Sequence, residues 1–396
     1  MKSILGLIVN YNGGNLLKTT LTELFATTEE LVMSGKLKLD ITLLDNASTD
    51  NSIEMVQKDF PKIKVILNGE NLGFGKALNV GLRPLLNSNS TYDYVLLFNP
   101  DLSFQKGWLE ELLKTFQTKE KEKVAAVAPL ILYQDKFWQL KLEVDNPVLF
   151  VNFPDYRMPS PVTGNITGKY QKAEEKTLFG KQFHQFKDSE LLLNVAETFK
   201  DNLQLTVYDE TLAGYKLQLP GLTFSSPKWL AKIKKVLFKL NPRLLNLKIK
   251  TINYKLPEKI TAKEPEDVVN SFGSYFKKNA QLPDNKYFGF RKEDAIKAMG
   301  TNNLQEVQMF HGACVLINTK ALKESGIFDE KFFMFYEESD LSLRMVQKGW
   351  KIFANARSIV HHYERGSKSA KIVQWLQESQ VKFVRKWQGS SLLESR

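Results

Sequence analysis

Polar side chains follow four apolar runs in the first hundred residues, at the point where each run stops. The runs end at Asn10-Tyr11-Asn12, Asp45-Asn46, NGENLGFGK (68–76) and Asn99-Pro100-Asp101. If the runs are strands of one parallel sheet, their carboxyl ends share an edge, and ligands bind at that edge in open α/β sheets. Polar residues after strands also form turns, so each segment alone is weak evidence. Four such segments together indicate a ligand crevice.

Asp101 indicates one group that this crevice could hold. It follows the apolar run Tyr94–Phe98. Pro100 ends that run, because proline has no amide proton for a sheet ladder. A carboxylate in this position suits Mg²⁺ or Mn²⁺ that carries a diphosphate.

The other strand ends suit the rest of a nucleotide diphosphate. An exposed aspartate such as Asp45 can accept a hydrogen bond from a nucleobase. Gly73 and Gly75 let the backbone approach a ligand closely, and the helix that they open offers free amides to an anion. Their spacing fits neither a Walker loop nor a Rossmann fingerprint. The sequence therefore predicts a nucleoside diphosphate bound with a divalent cation.

A second group of acids lies far downstream, in GIFDEKFFMFYEESDLSLRMVQKGWKI (326–352). Glu337, Glu338 and Asp340 crowd the first turn of a predicted helix, 337–348, directly after an aromatic run. Acids at this position also stabilise a helix through its dipole, so a simple cap explains part of the pattern. Aromatic side chains beside carboxylates are also suited to binding a sugar.

Strands and helices alternate through the first third of the chain. This is typical of an α/β fold with a doubly wound, mostly parallel sheet and helices on both faces. The predicted strands are 4–9, 39–44, 62–67, 94–98, 124–128, 313–318 and 351–362, and the predicted helices include 15–31, 51–60, 107–123 and 371–387. From 134 to 306 the sequence is irregular, which predicts a long insertion of uncertain fold. The predicted divisions are the half that carries the ligand crevice (1–133), the insertion (134–306), the half that carries the second group of acids (307–367), and a C-terminal helix and tail (368–396).

Composition limits the partners and the compartment. The formal net charge of +11 indicates an anionic partner. The single cysteine, Cys314, excludes an intrachain disulfide and a cysteine-rich zinc site. No apolar run approaches the roughly 20 residues of a membrane span. The first ten residues have the pattern of a strand rather than of a signal peptide. We therefore expect a cytoplasmic protein.

The quoted segments resemble those of the family-2 glycosyltransferases, which are inverting, nucleotide-sugar-dependent enzymes with the GT-A fold. The matching pieces are IVNYN, LLDNASTDNS, NLGFGKALNVGL, LLFNPDL, GACVLINTKAL and FDEKFFMFYEESDLSLRMVQKGWKI. Together they cover 1–133 and 307–367, about half of the chain. The Asn-Pro-Asp form and the aromatic run before the acids look most like bacterial rhamnosyltransferase-type members that build surface polysaccharide.

The resemblance implies roles for individual residues. Glu338 matches the general base, and Asp340 is a further acid of the same motif. Asp101 matches the second acid of the metal motif, and His362 resembles a histidine that helps to hold the metal and the diphosphate. The implied donor-binding residues are Asn10, Tyr11, Asn12, Asp45, Asn71, Gly73, Lys76 and Asn99.

Two positions depart from the family pattern. Asn99 replaces the first acid of the metal motif, which weakens the expectation of a strict need for a cation. Glu338 stands where the family usually has aspartate, so its carboxylate reaches one methylene further.

The sequence as a whole favours an enzyme that transfers a sugar from a nucleoside-diphosphate sugar to a saccharide or lipid-linked acceptor, without a nucleic-acid partner. A nucleotidyltransferase on a similar sheet is the rival enzyme, although it would need an acid pair where this chain has Asn99. A non-catalytic sugar-binding or scaffold protein is the rival outside catalysis.

The insertion contains a basic segment, 228–255, that has no acidic residue. Within KWLAKIKKVLFKL (228–240), apolar residues recur at helical spacing and lysines occupy much of the remaining surface. An ordinary amphipathic helix packed on its own domain would show the same pattern. The alternative is peripheral attachment to anionic lipid at the inner face of the plasma membrane, which would bring the enzyme to a lipid-linked acceptor.

If the basic segment attaches the protein to lipid, the protein will sediment with anionic vesicles and not with neutral ones. Added salt should release it, because the attraction between exposed charges is screened. Vesicle sedimentation at two salt concentrations measures this. Equal recovery with both kinds of vesicle would contradict the attachment.

Overall fold

The computed structural model describes residues 1–87, 92–144, 149–152, 162–165, 169–172, 174–178, 181–185, 190–196, 201, 203–209, 215–220, 222–226, 234, 249–276, 283–285, 287–301, 303–363 and 371–393. The helices are α1 (Gly14–Met33), α2 (Ser52–Asp59), α3 (Phe74–Leu86), α4 (Trp108–Thr118), α5 (Glu258–Thr261), α6 (Lys292–Met299), α7 (Thr319–Ser325), α8 (Glu337–Gln347) and α9 (Ile372–Trp387). The strands before the insertion are β1 (Lys2–Asn10), β2 (Leu37–Asp45), β3 (Lys64–Leu67), β4 (Tyr94–Phe98), β5 (Leu102–Phe104) and β6 (Val124–Tyr133).

Seventeen further strands follow β6 among the described residues. They are β7 (Phe137–Val144), β8 (Leu149–Asn152), β9 (Val162–Asn165), β10 (Lys169–Lys172), β11 (Glu174–Leu178), β12 (Lys181–Gln185), β13 (Glu190–Ala196), β14 (Leu203–Asp209), β15 (Tyr215–Leu219), β16 (Leu222–Ser226), β17 (Ile249–Tyr254), β18 (Val269–Ser271), β19 (Tyr275–Phe276), β20 (Pro283–Asp284), β21 (Leu304–Val307), β22 (Cys314–Asn318) and β23 (Lys351–His362).

The chain forms two compact units. The first contains 1–134, 271–285 and 299–396, and the second contains 135–270 and 286–298. The second unit has two antiparallel sheets, ordered β10-β9-β13-β7-β15-β16 and β11-β12-β8-β14-β17. These strands were not predicted, although the alternation of apolar and polar residues in QLKLEV (139–144), LQLTV (203–207) and YKLQL (215–219) is a signal for them.

The first unit is built on one large sheet, ordered β21-β23-β6-β22-β4-β1-β2-β3. Strands β4, β1, β2 and β3 are parallel. Strand β22 runs antiparallel between β4 and β6, and β6 is parallel to β23. The predicted α/β class is confirmed, and the parallel half is the one that carries the four polar strand ends.

Helices cover both faces of this sheet. The side chains of β1 point alternately to the two faces, so both faces are apolar and both pack against helices. Ile4 and Ile8 lie in one buried cluster with Leu17 of α1. On the other face, Gly81 of α3 approaches Leu7 so closely that an added Cβ would lie 2.7 Å from its Cδ2 atom. Strand β4 is buried along its whole length, as its apolar run predicted.

No helix among the described residues is long and apolar enough to cross a membrane. The predicted amphipathic helix at 228–240 lies outside the described residues, except for residue 234.

Candidate functional site

The ends of β1 and β2 are joined by hydrogen bonds around Asp45. Asn10 donates to Asp45 Oδ1 at 2.8 Å, and Ser48 donates to the same carboxylate through its hydroxyl at 2.5 Å and its amide at 2.9 Å. Asp45 is only 3% exposed. The expectation of an exposed aspartate is therefore wrong, because the turn after β2 folds back over its own carboxylate. The network fixes this carboxylate at the strand edge.

The loops after β1 and β2 are also joined to each other. Asn12 accepts a hydrogen bond from the amide of Thr49 at 2.7 Å, and its own amide donates to Ser48 Oγ at 2.9 Å. Asn12 has a φ of 57°, an uncommon value that asparagine tolerates better than most residues. Tyr11, between Asn10 and Asn12 in the sequence, is 50% exposed, which leaves its ring available at the rim of the crevice.

Three asparagines connect β2 to the glycine loop. The Asn46 side chain donates to Asn71 Oδ1 at 3.2 Å and to the Gly73 carbonyl at 2.9 Å, and it accepts from Asn68 at 3.0 Å. Asn71 Oδ1 also accepts from the Gly73 amide at 3.0 Å. Asn46 had no predicted role, although its position next to Asp45 was a signal.

Gly73 brings the glycine loop into contact with the downstream acidic segment. Its φ is 78°, and an added Cβ would lie 2.1 Å from the carbonyl oxygen of Phe333. The same oxygen accepts a hydrogen bond from the amide of Phe74 at 3.0 Å, at the start of α3. Lys76 lies in the first turn of α3 and is half-buried. No hydrogen bond or ion pair among the described residues joins Tyr11 or Lys76 to the other predicted donor residues.

Asp101 and His362 meet at the end of β4. His362 Nε2 lies 3.2 Å from Asp101 Oδ1, and Asn99 Nδ2 lies 3.5 Å from the same imidazole nitrogen. Both Asp101 and His362 are largely buried. The predicted metal residues are therefore adjacent, although 260 positions separate them in the sequence.

His311 is a further residue of this group, and its role was not predicted. Its ring centroid lies 6.2 Å from that of His362 in an edge-to-face arrangement, and its Nδ1 accepts a hydrogen bond from the amide of Ala313 at 3.2 Å. Burial, together with the neighbouring His362, lowers the pKa of His311 to about 4, although Asp101 opposes the shift. His311 is therefore neutral at pH 7. The signal was its position directly before the apolar strand β22.

The segment His311–Ala313 lies between the predicted metal residues and the acidic helix. The Ala313 carbonyl accepts from the Asn99 amide at 2.8 Å. Gly312 lies against Phe74 and Glu338, so an added Cβ would be 3.2 Å from the Phe74 ring and 3.8 Å from Glu338 Cβ. The backbone of this segment thus contacts both the predicted base and the strand end that carries Asp101.

Glu337 and Glu338 begin α8 in a poorly hydrated environment. Burial raises the pKa of the Glu338 carboxyl, and backbone hydrogen bonds oppose that shift. Burial raises the pKa of Glu337 further, with the charge of Glu338 as the second cause. A helix N-terminus favours ionised acids, so burial acts on the pKa of these two carboxyls against the helix dipole.

Asp340 does not join the other predicted residues in the crevice. It is 0% exposed and accepts hydrogen bonds from Arg344 Nε at 2.9 Å and Trp387 Nε1 at 3.0 Å. Lys386 Nζ lies 2.8 Å from the same oxygen that Trp387 contacts. These contacts place Asp340 between α8 and α9 and favour bracing of the turn over acceptor contact.

The loop before α8 is held in an uncommon conformation. Phe335 and Tyr336 both have positive φ, 70° and 65°, which is unfavourable for bulky residues. Helix α9 supports this loop: Ser379 donates to the Met334 carbonyl at 2.7 Å, and the rings of Trp375 and Phe333 lie 4.7 Å apart. Phe383 of α9 lies 5.1 Å from the Tyr336 ring.

The donor set around Asp101 fits a divalent cation only in part. Within the described ranges, no group of three His, Cys, Asp or Glu side chains is arranged to hold a metal ion. Asp101 and His362 alone offer one carboxylate and one imidazole at adjacent positions. Mg²⁺ and Mn²⁺ are commonly held by one or two protein groups when substrate phosphates supply further ligands. The residues therefore suit a cation that binds together with a diphosphate.

Residues 7–186 match the model of the family described as "Glycosyl transferase family 2". This match covers less than half of the chain and agrees with the resemblance drawn from the sequence segments.

Among curated proteins, the chain is similar to N-acetylglucosaminyl-diphospho-decaprenol L-rhamnosyltransferase of two Mycobacterium tuberculosis strains, CDC 1551 / Oshkosh and ATCC 25618 / H37Rv. The identity is 28% over 129 residues, which is 31% of this chain and 39% of each relative. The alignment therefore spans well under half of the relatives' length.

Among solved structures, the chain is similar to GalNAc-T7 with UDP, GalNAc and Mn²⁺, at 12% identity and a TM-score of 0.49, with 98% of this chain and 48% of that one covered. It is also similar to the mannosyltransferase PcManGT from Pyrobaculum calidifontis in complex with GDP-Man and Mn²⁺, at 12% identity and a TM-score of 0.43, with 96% and 64% covered. Likenesses at these TM-scores carry no argument about function.

Replacing Gly73 with alanine should destabilise the protein. The added Cβ would collide with a backbone oxygen that cannot move freely, and alanine is strained at positive φ. Gly69→Ala is the matched control, because nothing lies within 4 Å of an added Cβ there. We expect Gly73→Ala to lower the free energy of unfolding by about 1–3 kcal/mol or more. Denaturant titration of both variants measures this, and equal stability would contradict the contact.

Proposed function

We propose that the protein is an inverting glycosyltransferase that moves a sugar from a nucleoside-diphosphate sugar to a saccharide or lipid-linked acceptor. The observation that carries the proposal is the segment His311–Ala313, which lies beside His362 on one side and contacts Glu338 on the other. A group that can hold a diphosphate and a group that can take a proton therefore border one crevice. The family match over 7–186 supports the same reaction class.

In the proposed reaction, the acceptor hydroxyl attacks the anomeric carbon while Glu338 takes its proton. The new carbon–oxygen bond forms as the bond between the anomeric carbon and the diphosphate oxygen breaks, and the configuration inverts. Asn10, Asp45 and Tyr11 hold the nucleoside, and the glycine loop approaches the diphosphate. Asp101 and His362 would hold Mg²⁺ or Mn²⁺, which when bound neutralises charge on the leaving diphosphate.

The carboxylate assigned as base is suited to this task by its environment. The raised pKa of Glu338 makes it a stronger proton acceptor than an exposed glutamate, which favours general-base catalysis near neutral pH. It must be deprotonated to act, so transfer should be lost as the pH falls through this raised pKa. The pH at which transfer is lost on the acid side of the profile should therefore be higher than an ordinary glutamate would give.

The similarity to N-acetylglucosaminyl-diphospho-decaprenol L-rhamnosyltransferase supports a rhamnosyl-type donor and a lipid-linked acceptor. Attachment of the basic segment 228–255 to an anionic membrane surface would bring the enzyme to such an acceptor, and a cytoplasmic enzyme bound peripherally is the arrangement we propose.

A screen of nucleotide sugars for donor hydrolysis tests the proposed function. One or more donors should release nucleoside diphosphate, and product analysis with saccharide and lipid-linked acceptors should show an inverted linkage. Release of pyrophosphate from a nucleoside triphosphate and a sugar phosphate would instead indicate a nucleotidyltransferase. Sugar binding without turnover would indicate a non-catalytic protein.

Glu338→Gln should reduce transfer by about 10²–10⁴-fold, the usual loss for a general base, while donor binding and thermal stability persist. Asp340→Asn is the contrasting variant. It should lower thermal stability, because it weakens a buried network with Arg344, Lys386 and Trp387. Initial rates and thermal melts of both variants separate the two roles. If Glu338→Gln turns over normally and Asp340→Asn is stable but inactive, Asp340 is the general base and Glu338 is not.

Asp101→Asn should abolish transfer without unfolding the protein, and a chelator should reproduce the effect on the unmodified enzyme. The reason is that a neutral amide at Asp101 binds a divalent cation more weakly than a carboxylate does. Transfer that survives both treatments would remove the metal role and would leave Asn99 as the group facing the diphosphate.

A further inference from the structure

Glu337 is an acid for which the proposed reaction has no role. It is 3% exposed, and its Oε2 has no hydrogen-bond partner among the described residues. A buried polar atom without a partner costs about 1–3 kcal/mol, so such atoms in folded proteins usually mark a place that a ligand or water fills.

The position of Glu337 distinguishes it from Glu338, whose Oε2 also has no hydrogen-bond partner among the described residues. Its Cβ and Cγ lie against Gly75 in the first turn of α3, where an added Cβ would be 3.4 Å from each. Glu338 instead lies near Gly312. Adjacent side chains on a helix point about 100° apart, so the two acids face different groups. Glu337 lies on the side of the glycine loop, and Glu338 on the side of the metal residues.

We infer that Glu337 is buried as an uncharged carboxylic acid that hydrogen-bonds a hydroxyl of the transferred sugar and leaves Glu338 as the one carboxylate of the pair. The inference rests on the proposed function for the identity of the sugar ligand. It makes Glu337 a residue that recognises the donor sugar, whereas Glu338 acts on the acceptor.

The surrounding charges support an uncharged Glu337. Two carboxylates side by side in a dry site do not both ionise easily, and the more deeply buried one keeps its proton. Burial and the charge of Glu338 both raise the pKa of Glu337. Other acids and bases around α8 are already paired: Glu330 with Arg83, and Asp340 with Arg344 and Lys386. Lys76, next to Gly75, contributes no opposing effect to Glu337.

Infrared spectroscopy of the ligand-free protein tests the charge state independently of any reaction. At pH 7 the unmodified protein should show the carbonyl band of a protonated carboxyl group, and Glu337→Gln should remove it. Glu54→Gln is the matched control, because Glu54 also lies in the first turn of a helix but is exposed. The band should persist in that control. If Glu337→Gln leaves the spectrum unchanged, the uncharged state is wrong, whatever the enzyme transfers.

Calorimetry tests the contact with the sugar. The probes are dTDP-rhamnose, UDP-N-acetylglucosamine, UDP-galactose and GDP-mannose, each compared with its free nucleoside diphosphate. Glu337→Leu replaces the carboxyl group with an apolar side chain of similar size. This variant should lose about tenfold of the affinity that the sugar adds, while its affinity for the free nucleoside diphosphate is retained. Glu337→Gln should lose only about two- to threefold, because an amide still forms a hydrogen bond.

A purely structural role for Glu337 predicts no change in the affinity that the sugar adds. Glu337→Leu would then bind the sugar as well as the unmodified protein does. That result would overturn the contact. If no nucleotide sugar binds the unmodified protein, the proposed function fails, and the infrared result still decides the charge state of Glu337.

Discussion

The carbonyl oxygen of Phe333 is the contact on which the candidate site depends. It accepts the first amide of α3 and occupies the space that a side chain at Gly73 would need. The glycine loop and the loop that leads to the acids are therefore held together backbone to backbone. Such a contact tolerates very little displacement, since neither partner has a flexible side chain to adjust.

The acidic loop is unfavourable by itself and is stabilised from outside. Two consecutive bulky residues at positive φ, Phe335 and Tyr336, cost of order 1–3 kcal/mol each. Helix α9 offsets this by packing Phe383 and Trp387 into a buried aromatic cluster with Phe332. The Asp340 carboxylate then fixes the position of α9, because a fully buried charge is stable only while its cationic and hydrogen-bonding partners stay in place.

How far the sequence predicted the fold depended on the pattern of each element. The bounds of β4 were predicted correctly from its unbroken apolar run, and those of β23 were predicted correctly although its sequence includes charged and polar residues. Strand β6 was predicted too short, ending at residue 128, whereas its apolar side chains continue to Tyr133. The strands of the second unit were missed although several of them, such as β7, β14 and β15, do alternate between apolar and polar residues.

The site was predictable where chemistry follows directly from a strand end, as at Asp101. It was not predictable where the role depends on a distant partner. The burial of Asp340 depends on Trp387, 47 residues later, and the place of His311 depends on the antiparallel insertion of β22 beside β4. The burial of Asp45 depends on a turn that covers it, which composition alone does not reveal. Where local sequence decides the geometry, residue patterns suffice, and elsewhere the three-dimensional contacts are needed.

The antiparallel strand β22 returns to β4 after the chain has passed through the whole second unit. The backbone amide of Asn99 donates a hydrogen bond to the carbonyl of Ala313, although more than two hundred residues lie between them. The entropy lost in closing a flexible loop grows only with the logarithm of its length, by about 0.6 kcal/mol for each doubling. The free-energy cost of forming the crevice therefore depends only weakly on the number of residues inserted after β6. Changes in the length or fold of the second unit during evolution could therefore change the binding partners of the protein while the residues at the ends of β4 and β22 stayed the same.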